Sequence, residues 1–243
     1  MLVCGIMTDR DEALSFVKAQ HKKLIRQLID PENYIPSEKP FSLFMAGSPG
    51  SGKTEFSKNL QRQLEEKDPH QRIFRLDTDE LRALLPQYTG HNSDIVQSAT
   101  TLLFDKVFDY IQAKNLNVIV DTTFASPRAV QNVERALGRG RRVGIFYLYQ
   151  DPIIAWSYTL KREKLEGRTV PKQVFINAYF SAKANVYQAK LLFGDDIELN
   201  LFVKDSENNF VKSTRYDVRS LDEYLVENYT ISQLQHQLSD ALQ

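Results

Sequence analysis

The sequence predicts an α/β fold of three layers, α/β/α, around a mainly parallel central sheet. Three observations predict it. Short apolar runs rich in β-branched and aromatic residues alternate with longer stretches of helical periodicity. The intervals between those runs suit right-handed β-α-β crossovers. A glycine-rich segment, residues 47–54, lies between the first run and the helix that follows it. The sequence does not set the strand order.

Residues 11–30 read as an amphipathic helix, with Leu14, Val17, Leu24, Ile25 and Leu28 near helical spacing and lysines between them. Pro31 and Pro36 end it. Phe41–Ala46 is a buried strand stopped by glycine, residues 53–67 are helical, and Arg72–Leu76 is a second strand. Helices follow at 79–85 and 94–114, the latter carrying Leu103, Val107, Phe108 and Ile111. Val118–Val120 is a third strand, 127–137 a helix, and Val143–Tyr149 a fourth strand. Helices are expected at 151–165 and 172–192. Ile197–Val203 and Phe210–Ser213, with Glu207-Asn208-Asn209 between, read as a closing hairpin, and 218–241 as a helical tail. The expected division is an N-terminal helix packed on the core (1–40), the main domain (41–213) and a helical C-terminal tail (214–243). Tyr147, Tyr149 and Trp156 are expected in the core.

The chain has 243 residues, 42% of them hydrophobic and 26% charged, which excludes wholesale disorder. Thirty-one basic residues balance thirty-one acidic ones, so no global field draws it to nucleic acid or an anionic membrane. Cys4 is the only cysteine, so no intramolecular disulfide forms. The apolar stretch Met1–Met7 is too short for a signal-peptide core and precedes Asp9, Asp11 and Glu12. A soluble, cytoplasmic protein is expected. The basic cluster Arg139, Arg141 and Arg142 reads as a solvated turn without interleaved aromatics.

Gly47-Ser48-Pro49-Gly50-Ser51-Gly52-Lys53-Thr54 fits G-x-x-x-x-G-K-[ST] in full, after a strand and before a helix. Glycines let backbone N–H groups turn inward on an anion, and the helix N-terminus adds partial positive charge. Lys53 reaches β/γ phosphates and the Thr54 hydroxyl suits Mg²⁺. This is the P-loop NTPase form of the fold. No N/T-K-x-D element of a guanine-nucleotide switch is found, and the chain length suits a kinase of small hydroxyl compounds.

Such an enzyme needs a base and positive charge for the moving phosphoryl. Asp77 and Glu80 have capping-box spacing, which accounts for Asp77 as a helix cap. Asp79 is left over: it either complements the helix dipole or serves as general base. Asp121 follows the third strand, either as a turn residue with Thr122 and Thr123 or as a site carboxylate. Asp105 shares a helix side with Ser98, Thr101, Asp109 and Gln112, most simply a solvated face. Arg162 and Arg168 flank Glu166-Gly167, either as surface arginines or as a lid over a triphosphate, with Gly167 ending the helix.

The ordered set resembles the zeta toxin family of P-loop kinases, the toxins of bacterial toxin–antitoxin pairs, from the helix at 11–30 to the hairpin. The D-x-D after the second strand is matched by Asp77-Thr78-Asp79, the helix acid by Asp105, the acid-x-Thr by Asp121 and Thr123, and the lid arginines by Arg162 and Arg168. The resemblance implies Asp79 as catalytic base and ATP (or GTP) with Mg²⁺ as cofactors. It also implies phosphorylation of a sugar hydroxyl of a UDP-N-acetyl amino sugar, usually UDP-N-acetylglucosamine, and a small helical antitoxin as partner. Two positions depart from the family pattern. Leu85-Pro86 stands where His-Pro is frequent, and Ala125 stands where an arginine is frequent, with Arg128 nearby. Both border the expected acceptor pocket. A kinase of NAD, a nucleoside or an antibiotic, and an ATP-binding sensor without transfer, are the alternatives.

Overall fold

The computed structural model describes residues 8–166, 169–205, 210–225 and 229–240. Its strands are β1 (Phe41–Ala46), β2 (Ile73–Asp77), β3 (Asn117–Asp121), β4 (Arg142–Tyr149), β5 (Ile197–Lys204) and β6 (Val211–Arg215). The helices are α1 (Asp9–Leu28), α2 (Lys53–Lys67), α3 (Thr78–Ala83), α4 (Ser93–Ala113), α5 (Ala129–Leu137), α6 (Pro152–Glu166), α7 (Lys172–Phe193) and α8 (Ile231–Asp240).

One six-stranded sheet runs in the order β2-β3-β1-β4-β5-β6. The first five strands are parallel and β6 closes antiparallel on β5. β2 and β3 are buried at every residue, so their apolar residues stand side by side (Ile73-Phe74, Val118–Val120) instead of alternating with exposed polar ones. β1 divides the layers. Phe44 and Ala46 face the larger core with Leu103, Phe108 and Val120, while Met45 faces Ile119, Leu148 and Phe202 under α2. Thr8 and Asp11 close a capping box at the start of α1, which packs on α4 through the buried Ala13, Val17, Leu24 and Ile25. A third cluster joins Trp156 of α6, Phe175 of α7, and Leu234 and Leu238 of α8. Tyr147 and Trp156 are buried as expected.

The tail departs from expectation. Among its described residues, only Ile231–Asp240 is α-helical; residues 218–225 form an irregular turn whose Val218, Leu221 and Leu225 insert into the main core. Their apolar spacing mimics a helical stripe, but they serve as three separate anchors. The basic turn departs as well. Arg141 is 3% exposed and donates to Ser42 Oγ at 2.7 Å and to the carbonyls of Phe41 and Leu116. Burial lowers its pKa to about 10. It fastens the amino edge of the sheet instead of facing water.

Candidate active site

The carboxyl ends of β1, β2 and β3 lie side by side, and α/β sites form at such edges. β1 ends at Ala46, and the chain then turns through residues 47–52 into α2. Gly52 caps that helix in a left-handed conformation, φ +82°. Gly50, φ +75°, lies so close to α6 that a Cβ there would collide with the Ala155 carbonyl. Lys53 is buried, and its Nζ donates to the Ser48 carbonyl at 2.6 Å and to Ser51 Oγ at 3.3 Å, crossing its own loop. The loop is therefore a glycine-built turn at a helix N-terminus with a buried ammonium folded across it, an arrangement suited to a polyphosphate.

A cavity of about 690 Å³ opens beside this loop. Pro49, Gly50, Gly52, Lys53 and Thr54 line it, together with Asp79, Asp105, Asp121 and Thr123, and Arg162 is contributed by α6. Gly47, Ser48 and Ser51 complete the loop behind this lining; Gly47 N–H donates to the Thr123 carbonyl at 3.1 Å. Arg168 and the expected helix end at Gly167 lie outside the described residues.

The carboxylates are held by cations. Asp77 caps α3 by accepting from the Asp79 N–H at 2.8 Å. Glu80 does not complete the box; its carboxylate turns to Arg75. Arg75, on β2 and only 6% exposed at the side chain, also meets Asp77 at 2.7 Å and Asp121 at 2.8 Å. Burial works to lower the Arg75 pKa, but its three carboxylates together hold it above the ordinary value. Ser57 Oγ donates to Asp121 at 2.7 Å. Burial pushes the Asp121 carboxyl up, against the pull of the Ser57 hydrogen bond.

Asp79 projects into the cavity and accepts from Arg82 Nη1 at 2.6 Å. Arg82 also donates to Gln97 at 3.3 Å, and its Nε is buried without a hydrogen-bond partner. Asp105 lies between Arg128 and Arg135, the latter at 3.3 Å. The expected solvated face is thus an ion-pair ledge, and Gln112 on the same side is buried. Of the two departing positions, Leu85 is buried in the main core and Ala125 packs against it. Arg128 lines the cavity.

Sequence reading missed Arg75, Arg82, Arg135 and Ser57. Arg75 hides in an apolar strand run, whereas Arg82, three residues after Asp79, had a helical-pair signal.

The sequence profile of the zeta toxin family matches residues 25–215. The chain belongs to the zeta toxin family. Among solved structures, zeta toxin-like similarity extends to the PezAT chromosomal toxin–antitoxin system of Streptococcus pneumoniae. That match has 14% identity and a TM-score of 0.66, covering 94% of this chain and 97% of that one. The AvrRxo1-ORF1:AvrRxo1-ORF2 complex with sulphate ions matches at 13% identity and a TM-score of 0.61, covering 91% of this chain and 73% of that one. These likenesses show the fold. No curated protein sequence matches. As a family member, the chain is a P-loop kinase by fold. Among the described residues no helix is long and apolar enough to cross a membrane.

Proposed function

We propose that this zeta toxin family chain transfers a phosphoryl group from ATP to a sugar hydroxyl of a UDP-N-acetyl amino sugar in the cytoplasm, under restraint by a small helical antitoxin. One observation carries the kinase reading: the phosphate loop and Asp79 line the same cavity.

The roles follow from charge and position. Lys53 and the loop amides hold the phosphates. Thr54 is the residue whose hydroxyl would hold Mg²⁺, an ion that favours oxygen donors and keeps several waters. A hydroxyl beside an anion cup fits that ion, and among the described residues no cluster of three acidic, His or Cys side chains forms a rival site. When bound, Mg²⁺ neutralises charge on the transferring phosphates. Asp79 takes the proton of the acceptor hydroxyl as that hydroxyl's oxygen bonds to the γ-phosphorus and the bond from the γ-phosphorus to the β,γ-bridging oxygen breaks, releasing ADP. Arg82 fixes the carboxylate's orientation through their 2.6 Å contact. Asp105, Asp121 and Thr123 orient the acceptor, with Asp105 set by Arg128 and Arg135. Arg162, with Arg168, meets the charge on the moving phosphoryl.

The test is incubation of the purified chain with Mg-ATP and a panel of UDP-sugars, NAD, nucleosides and aminoglycosides, read by mass spectrometry. Gain of one phosphate by UDP-N-acetylglucosamine is the expected result. Transfer to another acceptor overturns the sugar assignment alone. Tight ATP binding without any transfer overturns the kinase and leaves a nucleotide sensor.

A further inference from the structure

Sheet order separates the two ends of the proposed reaction. Asp79 follows β2, at one edge of the parallel strands, whereas the carboxyl end of β5 lies on the far side of β1 and β4. A nucleotide whose terminal phosphoryl faces Asp79 therefore runs its nucleoside end toward β4 and β5. Lys204, the last residue of β5, stands on that side.

Its placement is specific. The pairing of β5 with β6 shifts register between Val203 and Lys204, an irregularity of the kind that re-aims side chains beside active sites. The next residue is tied on both faces: Gln150 Nε2 donates to the Asp205 carbonyl at 3.1 Å, and the Asp205 N–H donates to Phe210 at 2.8 Å. So directed, the half-buried Lys204 lays its ammonium against the phosphate loop, where a Cβ on Gly52 would collide with Nζ. The Glu55 carboxylate lies 3.8 Å from the same point.

That is a costly place for an ammonium in the protein alone. Gly52 caps the N-terminus of α2, the positive end of its dipole, and Lys53 adds a second charge. Partial burial lowers the Lys204 pKa, a cost that Glu55 offsets only in part. An anion on the loop reverses the balance.

We propose that Lys204 is a nucleotide-binding residue, a second ammonium that meets the donor's phosphates at the nucleoside end of the cup. This rests on the phosphate-loop reading above but not on the identity of the acceptor. The experiment is calorimetric titration of wild type, Lys204→Met and Lys204→Arg with Mg-ADP, alongside thermal melts without nucleotide. Lys204→Met is expected to weaken ADP about tenfold, the lower end for a charge-assisted contact at a half-buried site. Its ligand-free melting temperature should stay level or rise, because a repelling charge has gone. Lys204→Arg should recover most of the affinity. Unchanged ADP affinity in Lys204→Met overturns the proposal, as does a ligand-free melting temperature that falls in step with affinity. Wild type that binds no ADP overturns the phosphate-loop reading and the Lys204 role together; wild type that binds ADP yet phosphorylates nothing overturns only the kinase.

Discussion

Around Gly47–Thr54 the site is made of backbone; around Asp79 and Asp121 it is made of ion pairs. The donor side needs three positive-φ glycines and a helix N-terminus, features written in one short stretch of the chain. On the acceptor side, four carboxylates that line the cavity (Asp77, Asp79, Asp105, Asp121) are each paired with an arginine, a near neighbour in sequence for Asp77 and Asp79 and a distant one for Asp105 and Asp121. A backbone cup has one shape and serves any polyphosphate. A ledge of paired charges can be re-cut by single substitutions, and under the proposed function that is where acceptor specificity would be set.

The sharpest way to break this contrast is Asp79→Ala. Turnover should fall by roughly 10²–10⁴ with nucleotide affinity nearly unchanged. A wild-type rate, followed by coupled assay, would remove Asp79 from the chemistry, and a parallel loss of ADP binding would show that the two sides are not separable.

Next in size is Arg75→Met, which strands Asp77 and Asp121 in the interior without their cation. The expected loss is about 3–5 kcal/mol, the usual cost of breaking a buried pair, and on the order of 10 °C in melting temperature. Calorimetry that finds less than a couple of degrees would mean that the network does not hold the acceptor side together.

Arg128→Ala should be milder, because the arginine is about half exposed. Freed of one partner, Asp105 loses its orientation, so the acceptor KM should rise by about two- to tenfold while kcat and ADP affinity hold. A fall in kcat alone would place Arg128 at the moving phosphoryl instead.

The smallest effect concerns pH. Burial raises the Asp121 pKa above its ordinary 3.8, so the folded chain holds that proton more tightly than the unfolded chain does. The resulting stabilisation is complete below 3.8 and fades as pH climbs through the folded value. Asp121→Asn lacks this loss, so its melting temperature should gain on wild type as pH rises from about 4. A difference that is flat with pH would show that Asp121 stays ionised throughout.

The same contrast governs how much was legible in the sequence. The cup was complete there, because a G-x-x-x-x-G-K-T string between strand and helix carries its own geometry. β1 and α2 matched residue for residue, and the other parallel strands to within a residue or so. The carboxylates could be named as candidates, but apart from Arg82, at helical spacing from Asp79, their partners could not. Arg75 meets Asp121 across 46 positions of sequence, and no periodicity reports such a contact. Arg141 misled for a related reason: three arginines in a glycine-rich turn look solvated until the fold turns one inward on Ser42. The tail misled because leucines three to four apart satisfy either a helical stripe or, as at 218–225, a series of pegs.

Gly50 has one more implication. With the Ala155 carbonyl where its side chain would be, the loop and α6 share a seam with no slack. Arg162 rides on that helix, and α8 straps the same helix to α7 through Leu234 and Leu238. An alanine at position 50 would press on the Ala155 carbonyl and so distort the loop and the helix that carries Arg162 together.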